Sequence, residues 1–313
     1  MFDPPAGRIY TANNKIAPDS YPYLLAGDWP AAYRARRERA LLSTSTPWDL
    51  AYMHRMQMDN KSPDADELVP LLLTTTKPQG ARDGAAMKLL SAWNHEMAGD
   101  RPEPLIYIAW ASTLQQMIVA DELKGLAGEM RGLRPDFLIR VLSNTDGMAH
   151  WCDDIRTPGI ESCEEMSAKA LTAVLDRLQK RYGTDLSKWR WDAAHVAHFD
   201  HEALGGIPVI GGFFNRSIPM DGGPNSLNRG EMSYAGRYPF ADVHGSGLRA
   251  IYDLSDLSRS RFMIEIGQSG NPLSPHYDDY MTAWARGDSF EILTDERQYT
   301  AAALGTWIIE PAR

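Results

Sequence analysis

Gly267-Gln268-Ser269-Gly270-Asn271-Pro272-Leu273-Ser274-Pro275-His276-Tyr277 is the run whose reading decides this chain. Glycine and proline punctuate it throughout, so it reads as a turn-rich loop and not as a helix or strand. Ser269, Ser274 and His276 invite a hydrolase reading. A nucleophilic serine on a strand-to-helix elbow needs the five-residue Gly-x-Ser-x-Gly, however, and Gly267-Gln268-Ser269-Gly270 does not supply it. The glycines are therefore expected to be backbone turns at positive φ, and Ser269 a turn residue.

Working outward, Asp278, Asp279, Trp284 and Gly287 follow the run. Upstream stand two more glycine-rich segments. Gly245-Ser246-Gly247-Leu248-Arg249 leads into Ile251-Tyr252-Asp253-Leu254, and Gly222-Gly223-Pro224-Asn225-Ser226-Leu227-Asn228 precedes it. Near the start come Thr11-Ala12-Asn13-Asn14, Tyr21-Pro22, then Tyr33-Arg34, Arg37 and Leu41-Leu42.

Composition sets the outer bounds. With 313 residues, 43% hydrophobic and 23% charged, the chain can bury a sizeable core. A formal net charge of −9 argues against a nucleic-acid partner, and Arg34-Ala35-Arg36-Arg37-Glu38-Arg39 is too local to reverse that. That basic stretch reads as one solvated helix face with one or two functional exceptions. No apolar run reaches the roughly 18 residues a membrane span needs. Met1-Phe2-Asp3-Pro4-Pro5 carries no basic segment leading into an apolar stretch, so no signal peptide is visible. Cys152 and Cys163 flank the loop Thr157-Pro158-Gly159. They either close it as a disulfide, in an oxidising compartment, or stay as two buried thiols.

The character of the chain changes along its length. Residues 1–28 read as a strand or extended segment (Arg8 to Asn14) ending in a loop, residues 29–188 as mainly helical, and residues 189–313 as β-rich with long loops. Helices are expected from Thr46-Pro47, from Pro63, around Met87 to Trp93, from Trp110 to Leu126 and from Ala168 to Tyr182, where Gly183 stops the last. Strands are expected at Val209-Ile210, Phe213-Phe214, Leu248–Ile251 and Phe262–Ile266. No repeat or low-complexity linker appears, so residues 1–313 read as layers of one partial unit.

The three ordered glycine-rich segments resemble the penicillin acylases, a family of N-terminal-nucleophile hydrolases, toward the end of their large subunit. The resemblance implies an α+β fold: part of an αββα sandwich of two stacked antiparallel sheets, with helical insertions. It also implies hydrolysis of the amide bond of N-acyl compounds, such as acylated β-lactams or N-acyl homoserine lactones. The nucleophile would be an N-terminal Ser, exposed when a precursor cuts itself, with its own α-amine as base; that Ser is not in this chain. Expected partners are therefore a small N-acyl substrate and the upstream part of the precursor, meaning the small subunit and the N-terminal half of the large one. The family further implies a periplasmic or secreted location. No cofactor is needed for the chemistry. Calcium binds some members, and no ligand for it is carried over here.

The segment Asn13-Asn14…Tyr21-Pro22…Arg34…Arg37 resembles the part of the family that supplies an oxyanion-hole amide and an active-site arginine, which fall on Asn13 and Arg34. Glu38 departs from the aliphatic residue usual after the second arginine. The chemistry supports those residue types. A neutral amide N–H stabilises a tetrahedral oxyanion without moving a proton, and a nearby guanidinium favours an uncharged α-amine by like-charge repulsion. Without the pattern, Asn13-Asn14 would be an ordinary turn and Arg34 a surface charge.

Other clusters are read as structural. His195, His198 and His201 lack the Glu of a zinc-binding His-Glu-x-x-His, and alternation would split them between two faces. Met53, Met56, Met58, Trp93 and Trp110 read as core, and Gln57-x-Asp59 as helix packing. A competing reading keeps the family but drops the chemistry: a non-catalytic, acylase-like binding protein. A sandwich lacking its leading strands would also expose sheet edges and aggregate on its own.

Overall fold

The computed structural model describes residues 3–44, 47–130, 132–236 and 238–311; Met1, Phe2 and Thr46 lie outside them. Their contacts gather into two compact units, one of residues 1–46 and 58–245, the other of residues 47–57 and 246–313. The change of composition near residue 189 falls inside the first.

In the first unit the helices are α1 (Tyr33–Leu42), α3 (Pro63–Thr75), α4 (Ala81–Ser91), α5 (Glu103–Val119), α6 (Pro135–Leu142), α7 (Cys163–Tyr182) and α8 (Ile210–Phe214); α2 (Leu50–Gln57) belongs to the second unit. Helix α5 is apolar on every side, and Leu105 through Ala111 are fully buried, as a helix at the centre of a core must be. Helix α7 packs on it with an apolar stripe of Ala170, Leu171, Val174, Leu175 and Leu178. Its start is fixed by a capping box, in which Ser162 Oγ accepts from Glu165 N and Glu165 Oε2 accepts from Ser162 N. Gly183, at φ 91°, ends it as the sequence indicates. Trp110 Nε1 donates to Ser167 O at 3.0 Å, so the two helices are locked in register as well as packed. Trp93 and Trp110 are core residues as expected.

Strands β1 (Val196–Phe199), β2 (Arg216–Pro219), β3 (Gly230–Met232) and β4 (Asp242–Gly245) form one sheet in the order β2-β1-β4-β3. The β1–β2 and β3–β4 pairs are antiparallel, while β1 and β4 run parallel through Ala197 and Asp242. Val209-Ile210 and Phe213-Phe214 are not strands. Gly211 and Gly212 break any alternation, and the backbone closes on itself through Gly211 N to Ile207 O and Asn215 N to Gly211 O, both at 2.8 Å. The segment from Arg8 to Asn14 is likewise no strand: it joins neither sheet, and Asn14 Oδ1 captures Ala12 N to bend it.

The second unit holds α2 (Leu50–Gln57), α9 (Met281–Arg286) and α10 (Glu296–Ala302). Its sheet, ordered β5-β6-β7, is antiparallel and consists of β5 (Leu248–Ile251), β6 (Arg261–Ile264) and β7 (Phe290–Glu291). Buried Arg249 lies over the Trp284 ring at 4.9 Å and donates to Trp284 O, and Trp284 Nε1 donates to Ser246 O. Gln57 Nε2 donates to Ala250 O at 3.0 Å. Met53 and Met56 are half-buried on α2, not core. That helix starts at Leu50, later than Thr46-Pro47, because the Asp49 carboxylate accepts from Tyr52 N and caps it there.

Of the two cysteine readings, the disulfide holds: Cys152 and Cys163 are bonded with Cα atoms 5.0 Å apart. Closing so short a loop removes about 2–3 kcal/mol of unfolded-chain entropy. The loop is also held from outside, as Asp121 Oδ2 accepts from Ile155 N at 2.8 Å. Beside it Glu122 is pushed up to about 7, by burial first and by its hydrogen bond to Asp121 second. A carboxyl raised in the folded state binds protons that the unfolded chain releases, so its contribution falls as pH rises from the usual Glu range through 7. Glu122→Gln should therefore gain stability relative to the parent chain between pH 4.5 and 7.5. A difference in urea midpoint that stays constant across that range would remove the effect.

Candidate active site

Asn13 sits at the bend, with φ 63°, a left-handed conformation that asparagine adopts at little cost. Helix α1 presents Arg34 and Arg37 one turn apart, on the same side. From there Arg34 Nη2 donates to Ala12 O at 3.1 Å and to Asn13 Oδ1 at 2.9 Å. The two residues singled out in the sequence, 21 positions apart, are thus in direct contact. The contact also decides which end of the Asn13 amide is used. Its oxygen is occupied by the guanidinium, and its exposed Nδ2 donates to nothing among the described residues. The result is an oriented N–H donor.

Arg34 is half-buried, and burial is the main cause that lowers its pKa; the charge of Arg229 adds to this, while Glu38 and Glu231 oppose it. Glu38, the departure from the family pattern, is itself raised by burial and held down by Arg34. No carboxylate lies within ion-pair distance of Arg34 among the described residues.

Arg37 makes the ion pair that Arg34 does not. Its Nε and Nη2 reach the two oxygens of Asp59 at 2.9 and 2.6 Å. Asp59 is therefore a bidentate partner of the arginine helix, and not simply helix packing as its sequence context indicated. The backbone carbonyl of Asp59 then accepts from Asn228 N at 3.0 Å, and Asn228 Nδ2 donates to Asn60 Oδ1. These bonds tie the Gly222–Asn228 loop to α1.

That loop is rigid for a local reason. A Cβ on Gly222, at φ 86°, would stand 2.0 Å from Asn228 O. Ser226 Oγ accepts from Gly223 N and donates to Asn228 O, closing the turn from within. The loop delivers Arg229 and, on β3, Glu231 to a cavity of about 550 Å³ that Arg34 also lines. Arg229 Nη2 donates to Glu231 Oε2. The sequence motif Gly222–Asn228 stops one residue short of Arg229 and so does not point to it. An Arg and a Glu two apart at a strand's start, hence on one face, were the available signal.

The Gly267–Tyr277 run carries no catalytic pair. Ser269 Oγ accepts from Asn271 N, while the His276 ring pairs with Asp279 at 2.9 Å. Gly267 and Gly270 do not have the expected positive φ. Gly267 is needed for a different reason: its Cβ would stand 2.4 Å from His276 O, where the run folds back on itself.

The histidines are packed into aromatic surroundings. His195 stacks on Trp191 at 4.6 Å with Nδ1 on Phe240 O, and burial pushes it down to about 4. His198 stacks on Tyr238, and His201 meets Phe214 edge-on. Among the described residues no three His, Cys, Asp or Glu side chains converge as metal ligands.

A family model described as penicillin amidase matches residues 1–301. This chain belongs to the penicillin amidase family. It is 26% identical over 317 residues to the acyl-homoserine lactone acylase QuiP of Pseudomonas aeruginosa, covering 91% of this chain and 37% of that protein. It is also 26% identical over 322 residues to the penicillin acylase 2 proenzyme of Pseudomonas sp. (strain SE83), covering 100% of this chain and 40% of that protein. The chain thus spans about two-fifths of the length of these relatives. Among solved structures it resembles a thermostable penicillin G acylase from Alcaligenes faecalis, with a TM-score of 0.59 at 17% identity, covering 99% of this chain and 58% of that one. The α+β fold expected of the chain is the fold it shares with that acylase, although the sheet of the first unit is mixed, β1 and β4 being parallel where antiparallel sheets are expected. No helix among the described residues is long and apolar enough to cross a membrane.

Proposed function

We propose that this chain supplies the oxyanion donor and the active-site arginine of an amidohydrolase acting on N-acyl compounds. One observation carries the reading: Arg34 holds the oxygen of Asn13, which leaves the amide N–H₂ without an acceptor among the described residues. In this scheme an N-terminal Ser, on a segment outside the chain, attacks the acyl carbonyl with its own α-amine as base. Asn13 Nδ2 donates a hydrogen bond to the developing oxyanion. Arg34, half-buried and without an ion-pair partner among the described residues, disfavours a protonated α-amine nearby and so keeps the base competent.

The tetrahedral intermediate collapses to an acyl-enzyme as the C–N bond breaks and the amine leaves, and water then releases the acid. The named activities of the relatives, on acyl-homoserine lactones and on penicillins, are the substrate classes from which this one would come. A precursor processed into subunits is part of the same proposal, supported by the proenzyme name of one relative. A periplasmic or secreted location, with calcium in the complete enzyme, would accompany it. Co-expressing the chain with the coding sequence upstream of Met1 should give hydrolysis of N-acyl substrates that the chain alone lacks. Failure of a soluble, processed assembly to hydrolyse any N-acyl compound would favour a non-catalytic relative.

A further inference from the structure

A second cavity, of about 770 Å³, lies along helix α5; among the described residues it shares only Tyr234 with the wall of the cavity that Arg34 lines. Thr113, Met117 and Ala120 stand on its α5 side at helical spacing, and the stretch from Thr113 to Ala120 is about 10 Å long. Met166 of α7, with Pro239 and Phe240 from the loop between β3 and β4, adds apolar wall. The volume is that of a small-molecule site.

Three charged side chains among the described residues line this cavity. Two of them cancel, since Arg156 Nε and Nη2 reach the two oxygens of Asp154, both at 2.7 Å. The third, Arg177, is solvent-exposed and forms no ion pair among the described residues; its Nη2 donates to Thr113 Oγ1 at 3.1 Å. Partial burial alone lowers its pKa, and no carboxylate acts to raise it. The described wall therefore carries one uncompensated positive charge, at the Thr113 end of an apolar trough.

A guanidinium partly withdrawn from water gains from a carboxylate, which accepts two parallel N–H bonds. The Thr113 hydroxyl accepts from Arg177 and donates to no described residue, so it is a further donor at the same place. A single charge beside apolar surface suits a monoanion with an apolar body, and not a polyanion whose remaining charge would lie against that surface.

We propose that this cavity binds a medium-chain aliphatic carboxylate, its head on Arg177 and Thr113 and its chain along Met117 and Ala120, at a site separate from Asn13 and Arg34. The acid set free from an N-acyl substrate belongs to this ligand class; that meaning rests on the amidase reading, and the binding does not.

Octanoate, octanol and acetate separate the contributions of head and chain in calorimetric titrations of the protein. Octanoate should bind about tenfold or more tightly than octanol, and about a hundredfold or more tightly than acetate. Arg177→Gln should remove the preference for octanoate over octanol and leave octanol binding unchanged, whereas Arg177→Lys should keep part of it. Arg177 is exposed and holds a single hydrogen bond among the described residues, so both variants should keep the parent's urea midpoint. Ala120→Leu narrows the far end of the trough and should weaken octanoate and octanol alike. Equal binding of octanoate and octanol by the parent chain overturns the site, and so does a preference for octanoate that survives Arg177→Gln. Octanoate binding unchanged in Ala120→Leu would take the alkyl chain out of the trough and overturn it as well. A preference lost in Arg177→Gln, with no hydrolysis by the assembled protein, would leave the site standing and count against the amidase reading alone.

Discussion

Asn13→Ala is expected to lower kcat of the assembled hydrolase by about 10²–10³ while KM moves little. The donor acts where charge develops, so its loss is felt in the transition state more than in the bound substrate. Alanine also strains the bend, because φ 63° suits Asn and Gly better than other residues. Asn13→Gly separates the two effects: it keeps the conformation and removes only the amide. Both variants should be slow to a similar degree. Unchanged turnover in either one, with the parent assembly active, would remove Asn13 from the reaction.

Gly222→Ala is expected to cost about 3 kcal/mol or more, seen as a lower urea midpoint at unchanged slope. Two causes add. The added methyl would stand 2.0 Å from the carbonyl oxygen of Asn228, and φ is 86°. That carbonyl cannot simply move, since it already accepts the Ser226 hydroxyl, while Asn228 N is bonded to Asp59 O. Gly84→Ala provides the opposite control. It lies inside α4 with nothing within 4 Å of its Cβ, so the same methyl should stabilise by up to about 1 kcal/mol. If Gly222→Ala behaved like Gly84→Ala, the account of the loop as a rigid carrier of Arg229 would fail.

Much of the helical half was legible because its signals are local. Gly183 announces the end of α7, and its apolar stripe repeats at helical spacing, but its start at Cys163, capped by Ser162 and Glu165, lies five residues before the Ala168 expected from the sequence. The β-rich half was less legible. A strand is defined by its partner, and Val209-Ile210 and Phe213-Phe214 have strand-like composition but no strand to pair with among the described residues. Arg8 to Asn14 was misread for the same reason. In the Gly267–Tyr277 run close backbone approach explains Gly267 where a positive φ is expected, and Gly270 shows neither constraint.

Asn13 and Arg34 came from an ordered pattern of residue types, and so did membership of the penicillin amidase family, since order and spacing along the chain are one-dimensional facts. What only the tertiary structure decided is which groups those residues touch. The Arg34–Asn13 contact, the Arg37–Asp59–Asn228 chain of bonds and the shared cavity of Arg34 and Arg229 all join residues distant in sequence. Hydrogen bonds and charges act over a few ångströms of space, whatever the separation along the chain, and only the folded backbone brings them within that range.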